Sequence, residues 1–249
     1  MNEEFKTMEE LSLNQHPQAL AHGSIYQVFD NIFFVSGAME TVLMEMDWKF
    51  SRNMTIVRDD NRLIVINSIR LNEQALAELD KLGQVTDVIR LGALHGRDDA
   101  FYVERYQAQY WAMPGVENEA CLKINELSDE AKLPISDASL FQFSTTQIPE
   151  AILCLQREGG IAIACDALQN WLTPDEHFCD SSTERMQQMG FFTPANIGPV
   201  WLQAAAPTAE DFVRLKALPF KHALCGHGEP LLNTAKEDYL ATFSKLFNI

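Results

Sequence analysis

The chain has 249 residues, with 35 Asp and Glu against 19 Lys and Arg, a formal net charge of −16 at pH 7. Hydrophobic residues make up 47% and charged residues 22%, which excludes global disorder and permits a sizeable core without disulfides. The acidity opposes phosphate backbones, the Lys and Arg are scattered singly, and no apolar run approaches the ~20 residues that cross a bilayer, so nucleic-acid and membrane roles are excluded.

Residues 1–18 read MNEEFKTMEELSLNQHPQ, acidic where a secretory leader is basic and without an apolar stretch. Residues 1–23 are expected to form an N-terminal arm ahead of a single domain over 24–249. The five cysteines, Cys121, Cys154, Cys165, Cys179 and Cys225, contain no C-x-x-C pair. That pattern fits neither a disulfide framework nor a zinc finger, and points to reduced thiols in a cytoplasmic protein.

From Ser24 the pattern is extended. IYQVFDNIFFVSG holds two β-rich runs broken at Asp30-Asn31, and MTIVRDDNRLIVINSI two more flanking Asp59-Asp60-Asn61, each reading as a hairpin. Leu71, Ala75, Leu76, Leu79 and Leu82 then mark one face of a helix, with Asn72 as N-cap and Gly83 as a left-handed C-cap. A strand over Val85–Leu91, a loop GALHGRDD, a short helix over Phe101–Tyr106 and a strand over Gln109–Met113 give a β-α-β rhythm. Val116–Ser136 reads as loop and helix. Strands resume at SLFQFSTT, and AILCLQREGGIAIACDAL is a further hairpin turning at Glu158-Gly159-Gly160. Leu172–Pro199 is irregular apart from a short helix near Glu184–Met189. Thr208 starts a helix reaching about Leu218, HALCGHG is a short strand ending in a glycine-flanked loop, and Thr234 to Glu237 is a capping-box pattern opening the last helix. Two β-rich halves, each followed by helices, suggest two sheets with helices outside.

Ligand-type residues sit just past three predicted strand ends: His95 with Asp98 and Asp99, Asp166, and His227. The carboxyl ends of strands are where sites assemble in α/β sheets, and His with Asp suits zinc, iron or manganese. Their order and setting resemble the metallo-β-lactamase-like hydrolase superfamily, whose motif H-x-H-x-D-H follows a strand and is followed by a further His, a strand-end Asp and a late His. Here LGALHGRDDAFYVERY stands at the first motif, IAIACDALQNW at the Asp and CGHGEP at the last His. The resemblance covers roughly Ile25 to Phe247 and implies a mixed α/β fold, the family's αβ/βα four-layer sandwich, with metal at one edge between the sheets.

Residue by residue, the resemblance assigns His95, Asp99, Asp166 and His227 as metal ligands, and Asp99 and Asp166 as catalytic groups. Arg97 and Ala100 replace two motif histidines, and no His lies between Met113 and Cys165. A dinuclear centre needs about three protein ligands per ion, so at most one ion is implied, held by Asp99, Asp166 and His227. Arg97 is expected near the vacated place, paired with Asp166 or Asp98 and available as an anion contact for a substrate. Two readings follow. In one, the fold is kept but the metal is lost, and with it the dinuclear hydrolase activity, so that no cofactor is bound and the protein binds a small-molecule ligand or a partner. In the other, one divalent ion (zinc, iron or manganese) supports hydrolysis of an ester, lactone or phosphoester, with Gln147 or Glu150 as helpers. Both require His95, Asp99, Asp166 and His227 to converge in one cleft. Strand alternation points Cys165 away from Asp166, the loop around His177 reads as acidic and solvated, and Trp111, Trp171 and Trp201 read as core. Oligomeric state is open.

Overall fold

The β-branched hairpins build one side of the molecule. Tyr26–Phe29 (β1) and Ile32–Leu43 (β2) pair across Asp30-Asn31, with Asn31 in the left-handed region at φ 61. β2 runs further than its sequence suggests, pairing with Met46–Asp59 (β3) from Ile32↔Val57 out to Leu43↔Met46. The turn between them carries Glu45 at φ 58 and no Gly, Asn or Pro to signal it. β3 pairs with Arg62–Ile66 (β4) across Asp60, at φ 58. A computed structural model describes residues 16–43, 45–118, 120–128 and 131–249. Residues 1–15 of the expected arm therefore lie outside the described residues. Residues 21–23 lie along β2, where Ala38 N donates to the Ala21 carbonyl and Gly23 N to that of Ser36.

The helix Glu73–Leu82 (α1) follows β4. Asn72 Oδ1 accepts from Ala75 N at 2.9 Å, a cap worth about 1 kcal/mol, whereas burying Leu76 and Leu79 contributes roughly 1.5–3 kcal/mol each; packing holds α1 more than its cap does. Gly83 is not a left-handed cap. At φ 156 and ψ −168 it is nearly extended, because the chain passes straight into Gln84–Arg90 (β5) and Gln84 N donates to the Asn61 carbonyl. Asp99–Tyr106 (α2) leads to Gln109–Ala112 (β6). The stretch read as loop and helix contains an edge strand, Ile124–Glu126 (β7), parallel to β6. The seven strands run β1 to β7 in order, antiparallel as far as β4 and parallel from β4 onward.

A second sheet has the order β13-β10-β9-β8, from Ala138–Gln142 (β8), Ala151–Leu155 (β9), Ile161–Ile163 (β10) and His222–Leu224 (β13). Alternation divides its two faces between two cores. Leu153, Leu155, Ile161 and Ile163 pack with the first sheet, α1 and α2, while Ile152, Cys154, Ala162 and Ala164 pack with Trp201, Phe212, Tyr239 and Phe243. Those last four lie on the outer helices Pro199–Ala205 (α4), Ala209–Ala217 (α5) and Ala235–Phe247 (α6). The layers are helix, sheet, sheet, helix. Leu168–Gln169 (β11) and Asn196–Ile197 (β12) form a small ribbon, with Asp180–Gln188 (α3) between them in sequence.

Two helix starts differ from their sequence signatures. Thr208 and Thr234 stand at the N-caps of α5 and α6, yet neither side chain caps a backbone N–H. The Thr234 hydroxyl donates to the Asp238 carboxylate at 2.6 Å instead.

Candidate metal centre

Loops from both sheets meet at the carboxyl ends of parallel strands. β5 lies parallel to β4, and β13 to β10; the chain turns at Asn67 after β4, Gly92 after β5, Cys165 after β10 and Gly226 after β13. Two asparagines tie the sheets together here. Asn67 Nδ2 donates to the Ala164 carbonyl at 3.0 Å, and Asn53 Nδ2 donates to the carbonyls of Cys225 at 3.0 Å and Gly228 at 2.6 Å. The glycine-flanked form of the last loop is a packing requirement. Gly228 has φ +84, and a Cβ there would lie 2.1 Å from the Asn170 carbonyl carbon.

The His95 loop is clamped from beneath. Buried Arg90 donates through Nε to the Gly92 carbonyl at 3.0 Å, through Nη1 to that of Glu117 at 2.8 Å, and through Nη2 to that of Ala93. Gly96, at φ +131, lies against that guanidinium; a Cβ would meet Nη1 at 2.5 Å. The Asp166 turn is held by Glu150, whose Oε1 accepts from Asp166 N and Ala167 N, both at 2.7 Å. Glu150 is fully buried. Burial first, and the Asp166 charge second, raise its carboxyl well above the usual range.

Three of the four predicted ligands converge. His95 Nε2 lies 3.2 Å from His227 Nε2 and 3.4 Å from Asp166 Oδ2, and His227 Nε2 lies 3.1 Å from Asp166 Oδ1. All three residues are buried. His227 Nδ1 is 3.0 Å from the Ser51 carbonyl, which only accepts, so Nδ1 carries a proton and a neutral ring turns its Nε2 lone pair to the cluster. Burial pushes the His95 imidazole down to about 3 despite the opposing Asp166 charge. Burial alone would raise Asp166, but His95 and then His227 outweigh it and hold that carboxyl below its ordinary value. With a neutral ring, a lone pair on His227 faces the Asp166 carboxylate at 3.1 Å, a contact satisfied by a cation between them or by a proton on Nε2.

Cys165 also belongs to this group. Its Sγ lies 3.4 Å from Asp166 Oδ2, and ligand atoms of His95, Cys165 and Asp166 all lie within 4.8 Å of one another. Alternation fails to describe it because β10 ends at Ile163 and Cys165 sits in the following turn. Burial raises its thiol well above the usual range, with the Asp166 charge adding to the effect.

Asp99 makes none of these contacts, although it lines a cavity of about 470 Å³ together with His95 and Arg97. It opens α2, and its buried carboxylate accepts from Ser68 Oγ at 2.6 Å and Tyr110 OH at 2.9 Å. Burial raises it, while Ser68 opposes. Arg97 is one-quarter exposed, donating to Asp98 at 2.6 Å and to the Gln18 carbonyl at 3.1 Å. Besides Arg90, a second cation is buried beside the cluster, Arg52 of β3, 3% exposed, whose Nη2 donates to Asp98. Asp98 also accepts from Arg70 N at 2.9 Å. The three carboxylates thus have different partners: Asp98 the arginines, Asp99 hydroxyls, Asp166 the histidines.

A cavity of about 190 Å³ adjoins the cluster, walled by Trp48, Phe50, Trp171 and Phe191 and by Arg52, His95, Asp166 and His227. Trp171 stacks obliquely on His227 at 4.7 Å between ring centroids, and its Nε1 donates to Ser51 Oγ at 3.0 Å; it is wall as well as core. The loop before His177 is exposed over residues 172–176, as expected, but His177 itself is buried in a separate cavity wall with Tyr26 and Glu229. Gln147 N reaches the Ala205 carbonyl of α4. Arg52, Ser51, Asn53 and Arg90 were not singled out by sequence reasoning. The available signal was Ser51-Arg52-Asn53, three consecutive polar residues inside a β-branched strand, all of which are buried.

No family model matches the chain, and no curated protein matches it. Solved structures do. DIM-1 metallo-β-lactamase exposed to ceftazidime shares 14% identity over 92% of this chain and 99% of its own, with a TM-score of 0.58. The chain has the metallo-β-lactamase fold. A metallo-β-lactamase from Erythrobacter litoralis shares 15% identity over 89% and 92% of the two chains at a TM-score of 0.55. FIM-1 from Pseudomonas aeruginosa, in its mono-zinc form, shares 10% over 92% and 97% at 0.57.

The metallo-β-lactamase fold implies metal at this edge, and the donor set here can be tested for it. Two ligands of a tetrahedral zinc, each about 2.0–2.1 Å from the ion, stand about 3.3 Å apart. The separations among His95 Nε2, His227 Nε2 and Asp166 are 3.1–3.4 Å, and the Ser51 carbonyl supplies the outer hydrogen bond that a ligating imidazole usually makes. One ion fits. Where the motif has two further histidines, Arg97 and Ala100 offer no donor, and Arg52 brings a fixed positive charge. Among the described residues no helix is long and apolar enough to cross a membrane.

Proposed function

We propose that this protein is a one-ion member of its fold, without the dinuclear hydrolase centre, and that it binds a small molecule beside a single divalent transition metal. His95, Asp166 and His227 would hold the ion, with the Cys165 thiol within reach as a fourth ligand. The observation that carries this reading is the contact between His227 Nε2 and Asp166 Oδ1 at 3.1 Å, with Nδ1 already committed to the Ser51 carbonyl. Zinc, iron and manganese all suit the His and carboxylate donors, and thiolate participation favours zinc.

When bound, such an ion polarises a carbonyl or phosphoryl oxygen and lowers the pKa of a bound water, the chemistry that hydrolysis of an ester, lactone or phosphoester requires. The chain's own residues do the rest. Glu150 fixes the Asp166 turn through two backbone N–H groups. Arg90 fixes the His95 loop through three carbonyls. Trp48, Phe50 and Trp171 give the adjoining cavity an apolar wall. The mono-zinc form of FIM-1 supports a single ion as a workable occupancy of this fold.

A second reading has its own observation. A proton on His227 Nε2 would also satisfy the Asp166 contact, leaving a metal-free ligand-binding pocket. Calorimetric titration of chelator-stripped protein with zinc separates the two. One equivalent is expected for the wild type, and loss of binding in Asp166→Ala. Absence of zinc binding by folded wild-type protein refutes the one-ion reading and leaves the metal-free one.

A further inference from the structure

A separate cavity of about 200 Å³ borders the loop after His227, lined by Tyr26 of β1, Phe34 of β2, Asp175, Glu176 and His177 of the loop before α3, and Glu229. Two features there are left unsatisfied by the described residues. His177 is 6% exposed, yet its one hydrogen bond is made by its backbone N, which donates to Asp175 Oδ1 at 2.9 Å. Its two ring nitrogens have no partner and, unlike His95 Nδ1, are not sealed from the surface, so the ring presents them to the cavity it lines. Buried polar groups are nearly always paired, and an imidazole offers an acceptor as well as a donor, so these nitrogens mark the place of a polar ligand. The second feature is charge. Asp175, Glu176 and Glu229 form no ion pair among the described residues, and no Lys or Arg lines the cavity. Glu229 Oε2 accepts only from Leu172 N, at 3.2 Å. Its charge is felt at Tyr26, whose hydroxyl is raised first by burial and then by Glu229.

Three uncompensated carboxylates around a buried acceptor select a cation. A metal ion is the poorer fit. Among the described residues, the donors that lie within 4.8 Å of one another in a group of three are those of His95, Cys165 and Asp166, so the donors of this cavity stand too far apart to share one ion. An organic ammonium carries several N–H donors, and a second ammonium on the same short chain reaches acceptors that one ion cannot. Tyr26, 47% exposed, adds an aromatic face, to which ammonium groups are also attracted. A space of about 150 Å³ takes up benzene, so a cavity of about 200 Å³ suits a chain of about four or five carbons. We propose that this cavity binds a small aliphatic diamine, its ammonium groups donating to the His177 ring and to the Asp175, Glu176 and Glu229 carboxylates, and its methylenes lying against Tyr26. The site is independent of the proposed ion, with which it shares only the loop running from His227 to Glu229.

The test is calorimetric titration of chelator-treated protein, in which no metal can take up the amine, with putrescine and with butanediol of the same chain length. Saturable binding of one putrescine is expected, tighter than the diol by roughly ten-fold or more, the effect of one charge-assisted hydrogen bond. Asp175→Asn/Glu229→Gln keeps the oxygens that accept from His177 N and Leu172 N but removes two charges, and should weaken putrescine by roughly ten-fold. His177→Phe fills the same wall without a ring nitrogen and should weaken it by about five-fold or more. Glu78→Gln/Glu210→Gln takes the same charge from α1 and α5 and should leave the affinity within about two-fold, which separates a site from the general attraction of cations to a chain of net charge −16. No saturable binding, equal affinity for putrescine and butanediol, an affinity unchanged in either cavity variant, or an equal loss in the α1–α5 control overturns the inference.

Discussion

Replacing Arg52 by Met strands the Asp98 carboxylate. Asp98 is 1% exposed and is held by Arg52, by Arg97 Nη1 at 2.6 Å and by Arg70 N at 2.9 Å. Removing one partner of a buried ion pair costs about 3–5 kcal/mol, because the remaining charge stays desolvated. Arg97 and the Arg70 amide still face Asp98, and Arg97 is partly screened by solvent, so the low end applies, about 3 kcal/mol. At 150–250 residues each kcal/mol moves Tm by about 2–4 °C, which predicts a fall of roughly 6–12 °C for Arg52→Met. Asp98→Asn in the same chain should restore about 2 kcal/mol, since removing both charges from a buried pair is often close to neutral. Urea unfolding of the wild type, both single variants and the double variant closes the cycle. Arg52→Met within about 0.5 kcal/mol of the wild type, or single effects that simply add, would refute the assignment of Arg52 as the buried counterion of Asp98.

Two further outcomes follow from titrating groups away from the cluster. Asp211 is fully buried at the side chain and accepts from Ser144 N at 2.9 Å, Thr145 N at 3.0 Å and Arg214 at 2.5 Å; burial would raise it, but these bonds hold its carboxyl below the usual value. Folding therefore favours the ionised form, and the contribution is complete above the unfolded value of about 3.9 and lost as pH falls through the lower folded one. Asp211→Asn should cost roughly 2 kcal/mol at pH 7, with the gap to wild type closing towards pH 3; a gap that widens on acidification contradicts the sign. Cys179, at the start of α3, has its thiol pulled down to about 7 by the Ser181 and Ser182 hydroxyls. In a Cys121→Ser background, iodoacetamide should alkylate Cys179 with a midpoint near pH 7, sparing Cys154 and Cys225, which burial pushes up to about 11 and about 12. Mass-spectrometric mapping decides, and a Cys179 midpoint near the ordinary thiol value of about 8.5 would remove the role of the two serines.

How much of this was legible in the sequence depends on whether a signal was local. Asp30-Asn31 and Asp60 mark real turns because Asn and Asp tolerate positive φ; the β2–β3 turn carries Glu45 at φ 58 and gives no such mark. The period of Leu71 to Leu82 reports α1 correctly, but Gly83 serves a close approach to Asn61 rather than a left-handed cap, which composition cannot distinguish. His95, Asp166 and His227 were visible as ligand-type residues at strand ends, and the two sheets bring them together. Asp99 was visible in the same way, past the β5 end and in the motif, but the hydroxyls of Ser68 and Tyr110, distant in sequence, that its carboxylate accepts from were not. Arg52 carries no motif at all. Its meaning comes from burial and from Asp98, 46 residues away, and only the folded chain supplies either.

The one-ion claim is tested most directly by a crystal structure of the zinc-loaded protein with anomalous scattering collected at the zinc edge. A single anomalous peak is predicted, within about 2.0–2.2 Å of His95 Nε2, His227 Nε2 and an Asp166 oxygen, with the Arg52 guanidinium still on Asp98. Two peaks in the cluster, or one peak bound through Asp99 with His95 unliganded, would contradict the account.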